Sequence, residues 1–156
     1  MYHKILVPLD GSQLAECVLP HVESLARGGA AREVIFLRVR EPLQVWGGGD
    51  EVSFKSDADF HKWDADKRAE AENYLKKIAD RTKYEGVQIR TDVVSGSPAQ
   101  TITEYATKNG VDLIIISNHG RSGRTQMFIG NVADRLIHNP SAPILLVNAP
   151  NVFIGV

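Results

Sequence analysis

The sequence predicts a doubly wound α/β domain, with a five-stranded parallel sheet covered by helices on both faces. Three observations carry this. Strand-like and helix-like segments alternate in the order β-α-β-α-β-α-β-α-β, the pattern of a parallel sheet with right-handed crossovers. Three strand segments are nearly continuous runs of Val, Ile and Leu, which suits strands covered on both sides. Serine, asparagine, proline and glycine stand where helices should start and stop.

The strand segments are "KILVPLD" (4–10), "EVIFLRVR" (33–40), "VQIRTDVV" (87–94), "DLIIIS" (112–117) and "PILLVN" (143–148). The third sets Gln88, Arg90 and Asp92 on one side and is expected at an edge. Between the strands, a helix should run from Ser12 as N-cap to Gly28 and Gly29, bent or divided at Pro20. A long helix over 59–86 places Phe60, Trp63, Ala71, Leu75 and Ile78 roughly on one stripe. A third helix opens with Ser97 and Pro98 and closes at Gly110. A fourth, "NVADRLIHN", opens at Asn131 and stops before Pro140. The segment 41–59, with its glycine triplet and no period, is expected to be a long mobile loop, acting as a lid or as a bare insertion.

With 156 residues the chain fits one domain over 1–156. The net charge of -1 gives no electrostatic footprint for nucleic acid or an acidic membrane. The single cysteine, Cys17, excludes an intrachain disulfide and any multi-Cys metal site, and agrees with a reducing compartment. No apolar run approaches the length of a membrane span, and the expected location is the cytoplasm. His3, His21, His61 and His138 show no metal-ligand spacing.

The stretch "IIISNHGRSGRTQMFIGNVADRLI" (114–137) holds more residues between strand and helix than a plain connection needs. Gly120 lets backbone approach an anion. Gly130 and Asn131 begin a helix whose N–H groups and dipole favour negative charge. Arg121 and Arg124 supply fork-shaped donors. A polar turn with solvated arginines would read the same way. A second signal, "PLDGS" (8–12), follows the first strand. Asp10 there can accept hydrogen bonds from a ribose or a base amine, although Asp-Gly is also a turn signal in itself. If strands one and four are neighbours where the strand order reverses, both signals face one crevice.

"KILVPLDGS", "EVIFLRV", "SGSPAQTI", "GVDLIIISNHGRSG", "IGNVADRLI" and "SAPILLV" come in an order and spacing that resemble the universal stress protein family over essentially the whole chain. The resemblance implies an adenine-nucleotide alpha-hydrolase-like fold with strand order 3-2-1-4-5, in a chain that is usually dimeric. The family's ATP-binding members share a glycine, two residues, a second glycine, nine residues, then glycine and Ser or Thr. Here Gly120 matches the second glycine, and nine residues separate it from Gly130. Ser117 stands in place of the first glycine, and Asn131 in place of Ser or Thr. By the same resemblance, Pro8, Leu9 and Asp10 would border base and ribose. Val39 would offer backbone groups to adenine, Ile116 would pack under the nucleotide, and Val132 would contribute an N–H.

The expected ligand is therefore ATP or AMP, with magnesium where a triphosphate brings it, and no permanent cofactor. The expected assembly is a homodimer through the C-terminal strand edge, with Val152, Phe153 and Ile154 covered by the partner. No protein metal site, nucleic-acid partner or membrane partner is expected. Three functions stay open. One is a nucleotide-responsive stress regulator without strong catalysis. Another is a slow ATPase, with His119 as the nearby base. The third is a dimeric interaction module with an empty crevice.

Overall fold

The computed structural model describes residues 2–43, 54–118 and 131–149. They form a five-stranded sheet in the order β3-β2-β1-β4-β5. The strands are β1 (Lys4–Pro8), β2 (Glu33–Arg40), β3 (Gln88–Ser95), β4 (Leu113–Ser117) and β5 (Ile144–Val147). All four pairings are parallel, so the strand order and the edge position expected for the third strand both hold. The helices are α1 (Leu19–Arg27), α2 (Asp57–Arg81), α3 (Pro98–Lys108) and α4 (Asn131–His138).

Alternation along the central strands builds two cores. Ile5, Val7, Val34, Phe36 and Ile115 point to one face, where they meet Val22 of α1 and Leu75 and Ile78 of α2. Leu6, Ile35, Leu37, Ile114 and Ile116 point to the other, against Ile102 and Tyr105 of α3 and Leu136 of α4. Burial on both faces is what the unbroken apolar runs require.

Four boundaries differ from expectation, each for a local reason. β1 ends at Pro8 instead of Asp10. Leu9 N still donates to Leu37 O at 2.8 Å, but Gly11 (φ +86°) then turns the chain away. The first helix is divided at its proline: Ala15–Val18 form a 3-10 turn, and α1 starts at Leu19 with Pro20 in its first turn, where no N–H is needed. α2 starts at Asp57 because Ser56 caps it, accepting from Asp59 N at 3.2 Å. Residues 57–59 therefore belong to the helix and not to the loop expected over 41–59, whose 44–53 lie outside the described residues. α2 also stops at Arg81 instead of reaching Gly86, and Thr82 turns its hydroxyl back onto Ile78 O at 2.8 Å.

Ser97 occupies the N-cap position of α3, but its side chain makes no capping bond. The residue before it is constrained instead. Gly96 has φ +153°, and a Cβ there would run into Thr101 Oγ1.

Candidate functional site

β1 lies between β2 and β4. The chain leaves it toward α1 and β2 on one side and reaches β4 by a crossover on the other, so the strand order reverses there. Beyond the carboxyl ends of these strands opens a cleft of about 760 Å³, within the range that holds a nucleotide-sized ligand. Pro8, Leu9, Asp10, Val39, Ile116, Ser117 and Val132 all line it. Gly120, Arg121 and Gly130 lie outside the described residues, as do His119 and Arg124, and of Asn131 only its place at the start of α4 is described.

The turn after β1 is held by its own side chains. Asp10 Oδ1 accepts from Ser12 N at 2.9 Å and from Ser12 Oγ at 2.6 Å. Ser12 Oγ in turn accepts from Ala15 N at 3.2 Å, at the start of the 3-10 turn. The serine expected to cap a helix therefore also fixes the neighbouring carboxylate. The turn reading and the site reading of Asp10 are compatible, because Asp10 is both a turn residue and a wall of the cleft.

Val39 presents its backbone to the same cleft. Leu37 O faces β1, where it accepts from Leu9 N, while Arg40 O faces β3, where it accepts from Gly96 N at 3.0 Å. Backbone groups of successive strand residues point to opposite sides, so Val39 N–H and C=O point toward β1. The β1–β2 register ends at Pro8 and Leu37. The donor and acceptor of Val39 therefore lie just past the end of the neighbouring strand.

Ser117 is the last residue of β4, paired with Val147 and buried. A place in the ladder is ordinary extended backbone, so serine carries no positive-φ strain there. Asn118 follows it and also lines the cleft. Its backbone N donates to Val147 O at 3.0 Å, its side-chain Nδ2 donates to Asn148 Oδ1 at 2.9 Å, and its Oδ1 accepts from Ala149 N at 2.8 Å.

A second wall, from β2 and α2, escaped the sequence reading. Arg38, Arg40, Trp63, Lys67, Glu70 and Tyr74 line the cleft there. Arg40 pairs with Asp64 at 2.7 Å, and the Arg38 guanidinium lies over Gly11. Tyr74 donates to Glu16 Oε1 at 3.2 Å, and burial together with that carboxylate raises its hydroxyl above the ordinary range. Trp63 and Phe60, expected on the core stripe of α2, instead form an aromatic cluster with Phe54, with ring centroids of Phe54 and Trp63 5.5 Å apart. The available signal was the "RVR" alternation at the end of β2, which puts Arg38 and Arg40 on the face opposite Val39. Among the described residues, no three His, Cys, Asp or Glu groups are placed to hold a metal ion, and no helix is long and apolar enough to cross a membrane.

Comparison with known proteins fits this geometry. The sequence profile of the Universal stress protein family matches residues 1–148. The chain is 31% identical over 150 residues to universal stress protein MJ0531 of Methanocaldococcus jannaschii, covering 96% of this chain and 84% of that protein. It is also 31% identical to universal stress protein MJ0577 of the same organism, covering 97% of this chain and 98% of that protein. The solved structure of MJ0577 superposes with a TM-score of 0.80, covering 97% of this chain and 99% of that one. Two more distant structures share the fold. One is a universal stress protein in complex with cAMP, with 18% identity, a TM-score of 0.66 and coverage of 95% and 98%. The other is an Arabidopsis thaliana family protein with AMP bound, with 13% identity, a TM-score of 0.64 and coverage of 96% and 93%.

Proposed function

Since this chain belongs to the universal stress protein family, we propose that it binds an adenine nucleotide, ATP or AMP, in the cleft between β1 and β4 and acts as a stress-response regulator without strong catalysis. The observation that carries this reading is the convergence of Asp10, Val39, Ile116 and Val132, distant in sequence, on one cleft. Val39 has an N–H and a C=O side by side for the edge of adenine, which carries a ring nitrogen acceptor beside an amine donor. Asp10 has a carboxylate for the ribose hydroxyls. The phosphates would run toward the N-terminus of α4, where unpaired N–H groups favour negative charge. The nine-residue spacing from Gly120 to Gly130 supports the same path. The cAMP and AMP bound by two proteins of this fold agree with the ligand class. The protein is proposed to work as a homodimer joined along β5.

The competing reading, a dimeric module with an empty crevice, draws on Asn131 in place of a hydroxyl residue. The objection from Ser117 is weaker, because that residue continues the β4 ladder. Titration calorimetry with ATP, ADP, AMP and cAMP decides between them. Saturable heat with at least one is expected, and no heat with any would leave the empty module. Nucleotide that binds and is then hydrolysed in a His119-dependent way would make the protein a slow ATPase instead.

A further inference from the structure

We propose that Ser12 is a positioning residue for the ligand's ribose, acting through Asp10; this rests on the nucleotide reading above. A carboxylate at the end of a strand rotates broadly about its terminal torsion. Here one oxygen, Oδ1, takes both the backbone N–H of Ser12 at 2.9 Å and its hydroxyl at 2.6 Å. Two donors from one residue fix the plane of the carboxyl group before any ligand arrives. The tight return of the chain from Asp10 to Ser12 depends on Gly11 at φ +86°. The hydroxyl is itself set by Ala15 N at 3.2 Å, which ties the arrangement to the buried start of the 3-10 turn.

The two bonds from Ser12 leave Oδ2 on the other side of the carboxyl group, and the whole group sits in the cleft wall. Vicinal ribose hydroxyls are a pair of donors that need such an acceptor at one fixed orientation. A carboxylate locked beforehand loses less entropy on binding them than a rotating one. Ser12 is thus expected to discriminate ribose from a sugar without hydroxyls while touching neither.

The test is titration calorimetry of wild type, Ser12→Ala and Ser12→Thr with AMP and ATP, each beside its 2′,3′-dideoxy counterpart. Thermal melts run alongside confirm that each variant is folded. Ser12→Ala should lose about tenfold in affinity for the ribonucleotides and change little toward the dideoxy forms. Ser12→Thr keeps the oxygen and should restore the difference. Equal weakening toward both sugar forms would overturn the proposal in favour of general damage to the turn. A wild type that binds ribo and dideoxy forms alike overturns it without any variant, while leaving nucleotide binding intact. A wild type that binds none of the four overturns both readings.

Discussion

Asn118 and Asn148 face each other across the ends of the last two strands, with Asn118 Nδ2 donating to Asn148 Oδ1 at 2.9 Å. The same carboxamide accepts from Ala149 N at 2.8 Å. The sequence puts Asn118 in the polar stretch suspected of binding a ligand, whereas its side chain is spent on joining β4 to the chain leaving β5. Asn118→Ala removes both bonds and strands a half-buried N–H. A loss of about 1–3 kcal/mol is expected, read from urea unfolding. Asn118→Asp should cost less, because Asp can still accept from Ala149 and the amide of Asn148 can rotate to donate. Equal losses for the two variants would show that the bond to Ala149 carries nothing.

Gly96 should not accept a side chain. Its φ of +153° lies where L residues rarely go, and a Cβ would meet Thr101 Oγ1 in the first turns of α3. Gly96→Ala should cost about 1–3 kcal/mol. Combining it with Thr101→Ala relieves the crowding and leaves the backbone strain, so part of the loss should remain. Full recovery in the double variant would assign the whole effect to crowding.

Stability should fall at high pH through two tyrosines. Burial, then the hydrogen bond donated to Asp92 at 2.9 Å, push the Tyr105 hydroxyl from 10.0 up to about 12. Tyr74 is raised in the same direction by burial and by Glu16. In the unfolded chain the proton leaves near pH 10, so from there to about pH 12 the unfolded state binds fewer protons than the folded one. The contribution is therefore whole below that window and lost as pH rises through it. For Tyr105 it is worth up to about 2 kcal/mol. Tyr105→Phe should flatten the fall in unfolding free energy over this range without abolishing it. An unchanged slope would mean that Tyr105 titrates normally.

The phosphate end of the proposed site is tested by two substitutions. Gly130→Val puts bulk where the spacing motif brings backbone close to phosphate, and should weaken ATP and AMP strongly. Asn131→Ser restores the family's hydroxyl and should raise ATP affinity more than AMP affinity, by up to about 1.5–3 kcal/mol for one hydrogen bond to a charged group. Wild-type affinity in Gly130→Val would place the ligand elsewhere. Unchanged ATP affinity in Asn131→Ser would leave Ser117 or the intervening chain as the limiting departure.

The strand order and the two-sided sheet were legible because buried parallel strands need unbroken apolar runs, which Ile5–Val7, Val34–Leu37 and Ile114–Ile116 supply. The base and ribose end of the cleft was legible because Asp10, Val39 and Ile116 sit at or just past the ends of those runs. The α2 wall was not. Trp63 fits the apolar stripe of its helix and gives no sign in the sequence that the core ends before reaching it. Nor was the pairing of Asn118 with Asn148, which are 30 residues apart and meet only because β4 and β5 end level. Ser12 was read as a cap, and the same short polar reach let it hold Asp10 as well.

The last prediction is the dimer. β5 closes the sheet on one side, pairing with β4 through Ile144–Val147. Within it Leu145 is 37% exposed, and on neighbouring α4 Ile137 is 38% exposed. Apolar side chains beside an uncovered strand edge invite pairing with another chain. A second copy meets that edge by a two-fold axis, which makes an isologous contact that closes on itself. The apolar tail residues Val152, Phe153 and Ile154, outside the described residues, would extend the same surface. Light scattering at micromolar concentration should give twice the chain mass, and Leu145→Lys should shift it toward monomer with little change in far-ultraviolet circular dichroism. The tail is tested by ending the chain after Pro150. A cut after Asn148 would remove Ala149, whose N–H holds Asn118, and would confuse loss of the tail with loss of that clamp. If the chain ending at Pro150 stays dimeric, the edge suffices and the tail adds nothing. A full-length chain that is monomeric at micromolar concentration would overturn the assembly.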